Sequence, residues 1–230
     1  EMLGARKSGN MKCPVVLDNL VASEFLMILG SLFLSENVAK GKSLFAEKIG
    51  QEVASPLLSI IDDGVYEKGV RASPFDGEGT VRRKNVLVSS GILKGYLYDR
   101  LWGMKLGEKS TGNAHRSTIK SPPKVGITNL MIEPGMVSPD EIIKSIDRGI
   151  ILKDVMGIHT ANPISGDFSV GAAGLLVEKG EVQYPVSGFA LSGNIIDLYK
   201  GVRAVGNDLK LYGNVGSPTL LIEMAEISGS

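Results

Sequence analysis

The 230 residues predict an α+β fold, mainly antiparallel β-sheet with hairpins and three or four helices. Three observations lead there. Glycine contributes 29 residues, an abundance that favours tight turns and short strands over long helices. Two stretches, 86–97 and 175–182, share one hairpin grammar: apolar runs around a polar turn, with Gly91 or Gly180 where a positive φ is wanted. Residues suited to capping stand before several apolar-periodic segments. Val88 corresponds to Val177, Gly91 to Gly180 and Leu93 to Val182. An internal duplication, giving two similar halves of one sheet system, is therefore an expectation beside generic hairpin grammar.

In chain order, residues 14–17 read as a short strand, and Asp18 caps a mostly buried helix over 19–40 with apolar positions at Leu20, Phe25, Leu26, Leu29, Leu32 and Phe33. A second short helix is expected over 44–49. Residues 57–61 read as a strand running into Asp62-Asp63-Gly64, followed by a glycine-studded loop through Asp76-Gly77-Glu78-Gly79. The polar segment Ser110-Thr111-Gly112-Asn113-Ala114-His115-Arg116 reads as an exposed loop. Residues 128–132 read as a strand. Ser138-Pro139-Asp140-Glu141 opens a helix that Gly149 is placed to end. The long unit over 162–194 carries the second hairpin, bounded by Asn162-Pro163 and Ser192-Gly193-Asn194. A short helix over 195–202 and strands over 208–212 and 218–227 complete one domain spanning 1–230. Its opening, 1–12, is linker-like, so a separate N-terminal domain is expected upstream of this chain.

Composition narrows the function. With 43% hydrophobic and 22% charged residues, the chain can bury a sizeable core. Twenty-five basic and 25 acidic residues cancel, which leaves no net field to draw nucleic acid or an anionic membrane. The longest apolar run, Phe25 to Leu34, is broken at Gly30-Ser31 and too short to span a bilayer. Cys13 is the single cysteine, so an intrachain disulfide is impossible and a soluble, cytoplasmic protein is expected.

Catalytic constellations are scarce. His115 and His159 are the only histidines, neither at ligand spacing from another, and no phosphate-binding glycine loop is present. Asp62, Asp63, Asp76 and Glu78 lack the alternation of a calcium loop, and turn chemistry accounts for them. Two places invite a peptide. The small residues Gly171, Ala172, Ala173 and Gly174 leave room either for a neighbouring strand or for an extended peptide. Ser110, Thr111, Gly112, Asn113 and Arg116 either brace a turn or meet a peptide backbone.

Several motifs together carry a family resemblance. They are Pro14-Val15-Val16-Leu17-Asp18, Ala54-Ser55-Pro56, Asp62-Asp63-Gly64, Asp76-Gly77-Glu78-Gly79, Ser110-Thr111-Gly112-Asn113, Ser165-Gly166-Asp167-Phe168, Val205-Gly206-Asn207-Asp208-Leu209 and Ser217-Pro218-Thr219. In this order, over nearly the whole chain, they resemble the C-terminal domain of the TldD/PmbA family, once described as modulators of DNA gyrase. The resemblance implies a two-component zinc metalloprotease acting on peptides and unfolded chains. Its zinc-bearing type, TldD, carries HExxxH on the helix after the VVL strand and a cysteine in a glycine-rich insertion after VGNDL. Here that helix reads Phe25-Leu26-Met27-Ile28-Leu29-Gly30-Ser31-Leu32, and the chain passes through Gly213-Asn214-Val215-Gly216 to Pro218 without a cysteine. The sequence therefore resembles the PmbA (TldE) type. The role this implies is that of a non-catalytic subunit with no catalytic residue and no metal of its own, zinc residing in a TldD-like partner. A dimer, and binding of extended peptide, are also implied. The competing readings are a metallopeptidase in its own right, with ligands such as His115, His159 and Asp62, and a non-proteolytic protein acting on gyrase.

Overall fold

Part of the stretch expected to be linker-like, Arg6–Lys7 and Met11–Lys12, lies in a sheet. The chain enters through β1 (Arg6–Lys7) and β2 (Met11–Leu17), and the structure, a computed structural model, describes residues 4–162 and 164–229. Asp18 accepts from Val21 N at 3.0 Å and starts α1 (Asn19–Leu32). That helix stops short of Lys40 because Leu34 turns extended and the chain pairs with the segment at Leu97: Leu97 N donates to Phe33 O, and Ser35 N to Leu97 O. Then come α2 (Ser35–Ala39), β3 (Ile60–Asp63), β4 (Lys84–Ser89) and β5 (Ile92–Leu93). Residues 44–49, expected as helix, form turns. Asp99 caps α3 (Arg100–Leu106), in the helix-compatible sequence after the first hairpin, and the helix ends on left-handed Gly107.

The ribbon β6 (Ala114–His115) and β7 (Lys124–Val125) leads to β8 (Leu130–Ile132). A capping box between Ser138 and Glu141 opens α4 (Pro139–Lys144) as expected, and β9 (Arg148–Met156) follows. The long hairpin is β10 (Asp167–Glu178) and β11 (Glu181–Asn194). Asn194 caps α5 (Ile195–Lys200), followed by β12 (Val202–Val205), β13 (Lys210–Tyr212), β14 (Val215–Ser217) and β15 (Leu220–Gly229).

Two sheets result. In one, β11, β10, β9, β2 and β15 succeed one another and β15 pairs back onto β11, closing a small barrel with β1 and β12 at its margins. Gly188 makes the closure local: β11 pairs with β1 at Val186 and Ser187, then with β15 from Phe189 to Ser192, and Gly188 turns between them at φ 71°. The second sheet runs β13, β14, β8, β3, β4, β5. Pairings are antiparallel except β1 with β11, β2 with β9 and β14 with β8. The fold is thus α+β as expected, with five α-helices among the described residues rather than three or four. The two hairpins turn alike, Ser90-Gly91 and Lys179-Gly180 all at positive φ, but they lie in different sheets. Their likeness is confined to the turn. No helix among the described residues is long and apolar enough to cross a membrane.

Helix α1 lies between the sheets, touching β2 and β9 on one side and β8, β13 and β14 on the other. Phe25, Leu26, Leu29 and Leu32 are buried, each such side chain contributing roughly 1.5–3 kcal/mol. Phe25 meets Phe168 edge-on at 5.1 Å between ring centroids. Gly30 admits β8, since a Cβ there would fall 2.8 Å from Leu130 Cδ2.

The small residues of β10 also resolve into packing. A Cβ on Gly174 would stand 2.1 Å from the Ile151 carbonyl oxygen, beside the register shift that follows Ala173, whereas one on Gly171 would come no nearer than 3.5 Å to anything. Gly174→Ala is therefore expected to destabilise the protein by about 2 kcal/mol, the cost of overpacking. Gly171→Ala should be neutral or stabilising by a few tenths, through the less flexible unfolded chain. Urea unfolding midpoints of the two variants check the contrast.

Candidate functional site

The loop from Ser110 to Arg116 is not an exposed one along its whole length. Gly112 turns at φ 79° directly beneath neighbouring backbone, where a Cβ would lie 2.6 Å from Val81 O. Asn113 is consequently buried, and only His115 and Arg116 stand in solvent. Asn113 Nδ2 donates to Asp62 Oδ2 at 2.6 Å and to Gly126 O at 3.1 Å. Its Oδ1 accepts from Thr111 Oγ1 at 2.7 Å and Asn85 Nδ2 at 3.1 Å. All four hydrogen-bonding positions of the amide are thereby used.

Asp62 is the other half of this cluster. It is fully buried on β3, and its two oxygens also accept from Thr128 N at 2.7 Å and Thr128 Oγ1 at 2.6 Å. Burial pushes its carboxyl upward; the Thr128 and Asn113 donors and the charge of Arg82 work against that. Ser110 Oγ donates to Tyr98 O at 3.2 Å, and Tyr98 N to Thr111 Oγ1 at 2.8 Å. Arg116 does not reach Asp62 or Asp63: its Nε donates to Gly77 O at 2.9 Å and its Nη1 to Ser121 O at 2.7 Å. The loop thus braces β3, β4 and the β6–β7 ribbon.

Gly171 and Ala172 are held elsewhere. Gly171 pairs with Met156 on one side and Ala190 on the other, and Ala172 with Val155 and Phe189. Both edges of β10 are occupied there by strands of the same chain. The bracing and the strand-admitting alternatives are the ones this geometry displays.

The acidic residues of the first half are engaged singly. Asp63 Oδ1 accepts from Val65 N; Asp76 accepts from Glu78 N, Thr80 N and Ala114 N; Glu78 accepts from Arg100 N. No three His, Cys, Asp or Glu gather as a metal site among the described residues. Asp62, buried with both oxygens engaged, does not come together with the exposed His115, and the side chain of His159 lies outside what is described. On α1, Phe25 through Leu32 supply no imidazole, carboxylate or thiolate, Leu32 is buried and Met27 is 54% exposed. This donor set does not fit zinc. Cys13 is buried, and burial pushes its thiol pKa up, away from the reactive thiolate.

A second polar hub was not foreseen from the sequence, although its members sit within the quoted motifs. Asp208 Oδ1 accepts from Thr219 N at 2.9 Å, and Oδ2 from Thr219 Oγ1 at 2.8 Å and Asn19 Nδ2 at 3.0 Å. Asn19 Nδ2 also reaches Ser217 O at 3.2 Å. The Asp208 and Ser217–Thr219 motifs thereby grip the first turn of α1. Burial alone would raise the Asp208 carboxyl, but the donors from Thr219 and Asn19 outweigh it and hold it below the usual carboxylate range.

These hubs generate two expectations. Asn113→Ala and Asp62→Ala should each cost about 2–3 kcal/mol, because they strand buried polar partners, while Arg116→Ala should stay within about 0.5 kcal/mol as an exposed residue; chemical denaturation ranks the three. Asp208 has a folded pKa below its unfolded one, so its contribution is present above about pH 4 and is lost as pH falls through the folded value. The stability of the native protein should therefore drop more steeply below about pH 4 than that of Asp208→Asn, as read from urea midpoints across the acid range.

The comparisons with known proteins agree with one another. Residues 10–229 match the PmbA/TldA metallopeptidase C-terminal domain. The chain is 31% identical over 227 residues to the metalloprotease PmbA of Escherichia coli O157:H7, covering 99% of this chain and 48% of that protein. It is 35% identical over 178 residues to a metalloprotease TldD homolog of Buchnera aphidicola, covering 77% and 37%. The crystal structure of TldE from Thermococcus kodakarensis superposes with a TM-score of 0.90 at 30% identity, over 98% of this chain and 52% of that one. The chain spans about half the length of the PmbA relative it matches. Motifs, fold and likeness over nearly all its residues place it, by its C-terminal-type domain, in the PmbA/TldD metallopeptidase family.

Proposed function

We propose that this chain is a PmbA/TldE-type, non-catalytic component of a two-part zinc metallopeptidase in the cytoplasm. It encloses part of the active-site chamber of a TldD-like, zinc-bearing partner and holds a peptide or unfolded chain in extended form. One observation carries the reading. The segment of α1 that the resemblance sets against the metal-binding residues of a TldD, Phe25 to Leu32, carries no imidazole, carboxylate or thiolate and so offers zinc no ligand. Extended binding suits a peptidase of broad specificity, because affinity comes from main-chain groups. Large apolar side chains that stand exposed, Phe75, Leu101 and Met104 among them, are the kind of surface that self-association as a dimer, or pairing with the unlike subunit, covers.

Reconstitution tests this directly. Mixed with a TldD-like subunit, the full-length protein should support peptide cleavage that neither part shows alone, with zinc recovered only in the partner. One equivalent of zinc on this chain that survives dialysis, together with cleavage in the absence of any partner, would overturn the reading. His115→Ala should leave the reconstituted rate within about threefold, a loss of under 1 kcal/mol, since the imidazole holds no metal in this arrangement.

A further inference from the structure

The outward face of the barrel is only partly covered. Ile142 of α4 and Ile146, just beyond the helix, pack with Val16, Ile151 and Val177, and past the helix edge the same face opens as a cleft of about 390 Å³. Ile151, Leu175 and Val182 floor it, on three successive strands; Ile143 of α4 lines one side and β13 the other. Ile151 and Leu175 are register partners, so their side chains stand next to each other. Val182 is 47% exposed, an apolar surface that nothing among the described residues covers fully.

The polar end of the cleft is asymmetric in what it has left to offer. Asp208 is committed to Thr219 and Asn19. Asp18 caps α1 through one oxygen, and its other lies 3.5 Å from Lys153 Nζ. Both carboxylates are thus engaged. The Lys210 ammonium and the Tyr212 hydroxyl, on the same strand and facing the same cleft, have no hydrogen-bond or ion-pair partner among the described residues. Burial, then the nearby Asp18, raises the Tyr212 pKa, so this hydroxyl remains a donor at neutral pH. The groups still available are an apolar floor and two donors, one of them cationic.

We propose that the cleft binds an apolar group ending in a carboxylate, namely the C-terminal residue of an extended peptide, with its side chain on Ile151, Leu175 and Val182 and its carboxylate against Lys210 and Tyr212. The volume falls within the range of small-ligand sites, about 300–1,000 Å³, and admits one or two residues of a peptide. The choice of a peptide as the source of the carboxylate rests on the peptide-handling function proposed above. The carboxylate preference itself rests only on the cleft.

Calorimetric titration of the 230-residue chain with acetyl-Ala-Ala-Leu, with its C-terminal amide and with octanoate tests both parts. The acid should bind about tenfold more tightly than the amide, the scale of one charge-assisted hydrogen bond. Lys210→Gln should remove that difference, weakening the acid far more than the amide, with thermal stability unchanged. Val182→Asp, at the exposed hairpin end, should weaken acid and amide alike. Equal affinities for acid and amide in the native protein, or a Lys210→Gln variant that keeps the difference, would overturn the carboxylate site. Octanoate binding without tripeptide binding would overturn the peptide as its source, and no binding by any of the three at millimolar concentration would overturn the cleft as a site. Because no cleavage is measured, these outcomes are independent of whether reconstitution with a zinc-bearing partner succeeds.

Discussion

The rest of the structure depends on the burial of α1. A helix apolar on most of its circumference has no solvent-facing stripe wide enough to rest on one sheet, and here it is sandwiched between the barrel and the six-stranded sheet. That requirement explains the two-sheet architecture better than strand propensity does. It also explains Gly30, which lets Leu130 approach the helix, and the packing of Phe25 on Phe168 at the start of the long hairpin. The same burial bears on chemistry. Leu32, in the stretch that the resemblance sets against the metal-binding segment of a zinc-bearing relative, is 1% exposed and contributes to the core.

Two buried or half-buried carboxylates act as ties, Asp62 within the six-stranded-sheet side and Asp208 between α1 and the start of β15. Asp62 joins β3 to the segment before β8 and to the 110–113 loop through Thr128 and Asn113. Asp208 joins the loop after β12 to the start of β15 and to the first turn of α1. In both cases every hydrogen-bond donor is a neutral amide, hydroxyl or backbone N–H, so the carboxylate is held mainly by geometry, with the charge of Arg82 a smaller contribution at Asp62. The motifs that carry the family resemblance are thus largely structural ties in this chain: Asp62, Asn113, Asp208 and Thr219 all serve to hold backbone segments together. What remains exposed and uncommitted lies beside them, on the outward face of the barrel near Lys210 and Tyr212.

Much of the fold was legible because it is local. The capping box at Ser138 and Glu141, the cap at Asp18 and the two-residue turns at Gly91 and Gly180 are decided by neighbours within four residues, and the expected strands at 14–17, 86–97, 175–182 and 218–227 follow from alternation around them. The misplacements have a common cause. The end of α1 at Leu32 is set by pairing with Leu97, and the strand content within residues 6–12 by pairing with β11 and β15, contacts that no window of local sequence contains. Residues 44–49 lack the flanking support a short helix needs.

The sequence by itself determined the fold class, the family, the scarcity of metal ligands and the apolar character of α1, since each depends on which residues are present and in what order. Only the tertiary structure decided what the polar loop does. Seven consecutive residues rich in donors and acceptors read equally well as a solvent-facing binding loop or as a brace, and the difference lies in whether Asp62, 51 residues away, is there to receive Asn113. The small residues of β10 were undecided for the same reason, because room left by a missing Cβ is filled or empty according to where Ile151 O comes to lie. The cleft beside Lys210 depends on β13, α4 and three barrel strands meeting at one place, and residues that distant along the chain are brought together only by the closure of the barrel.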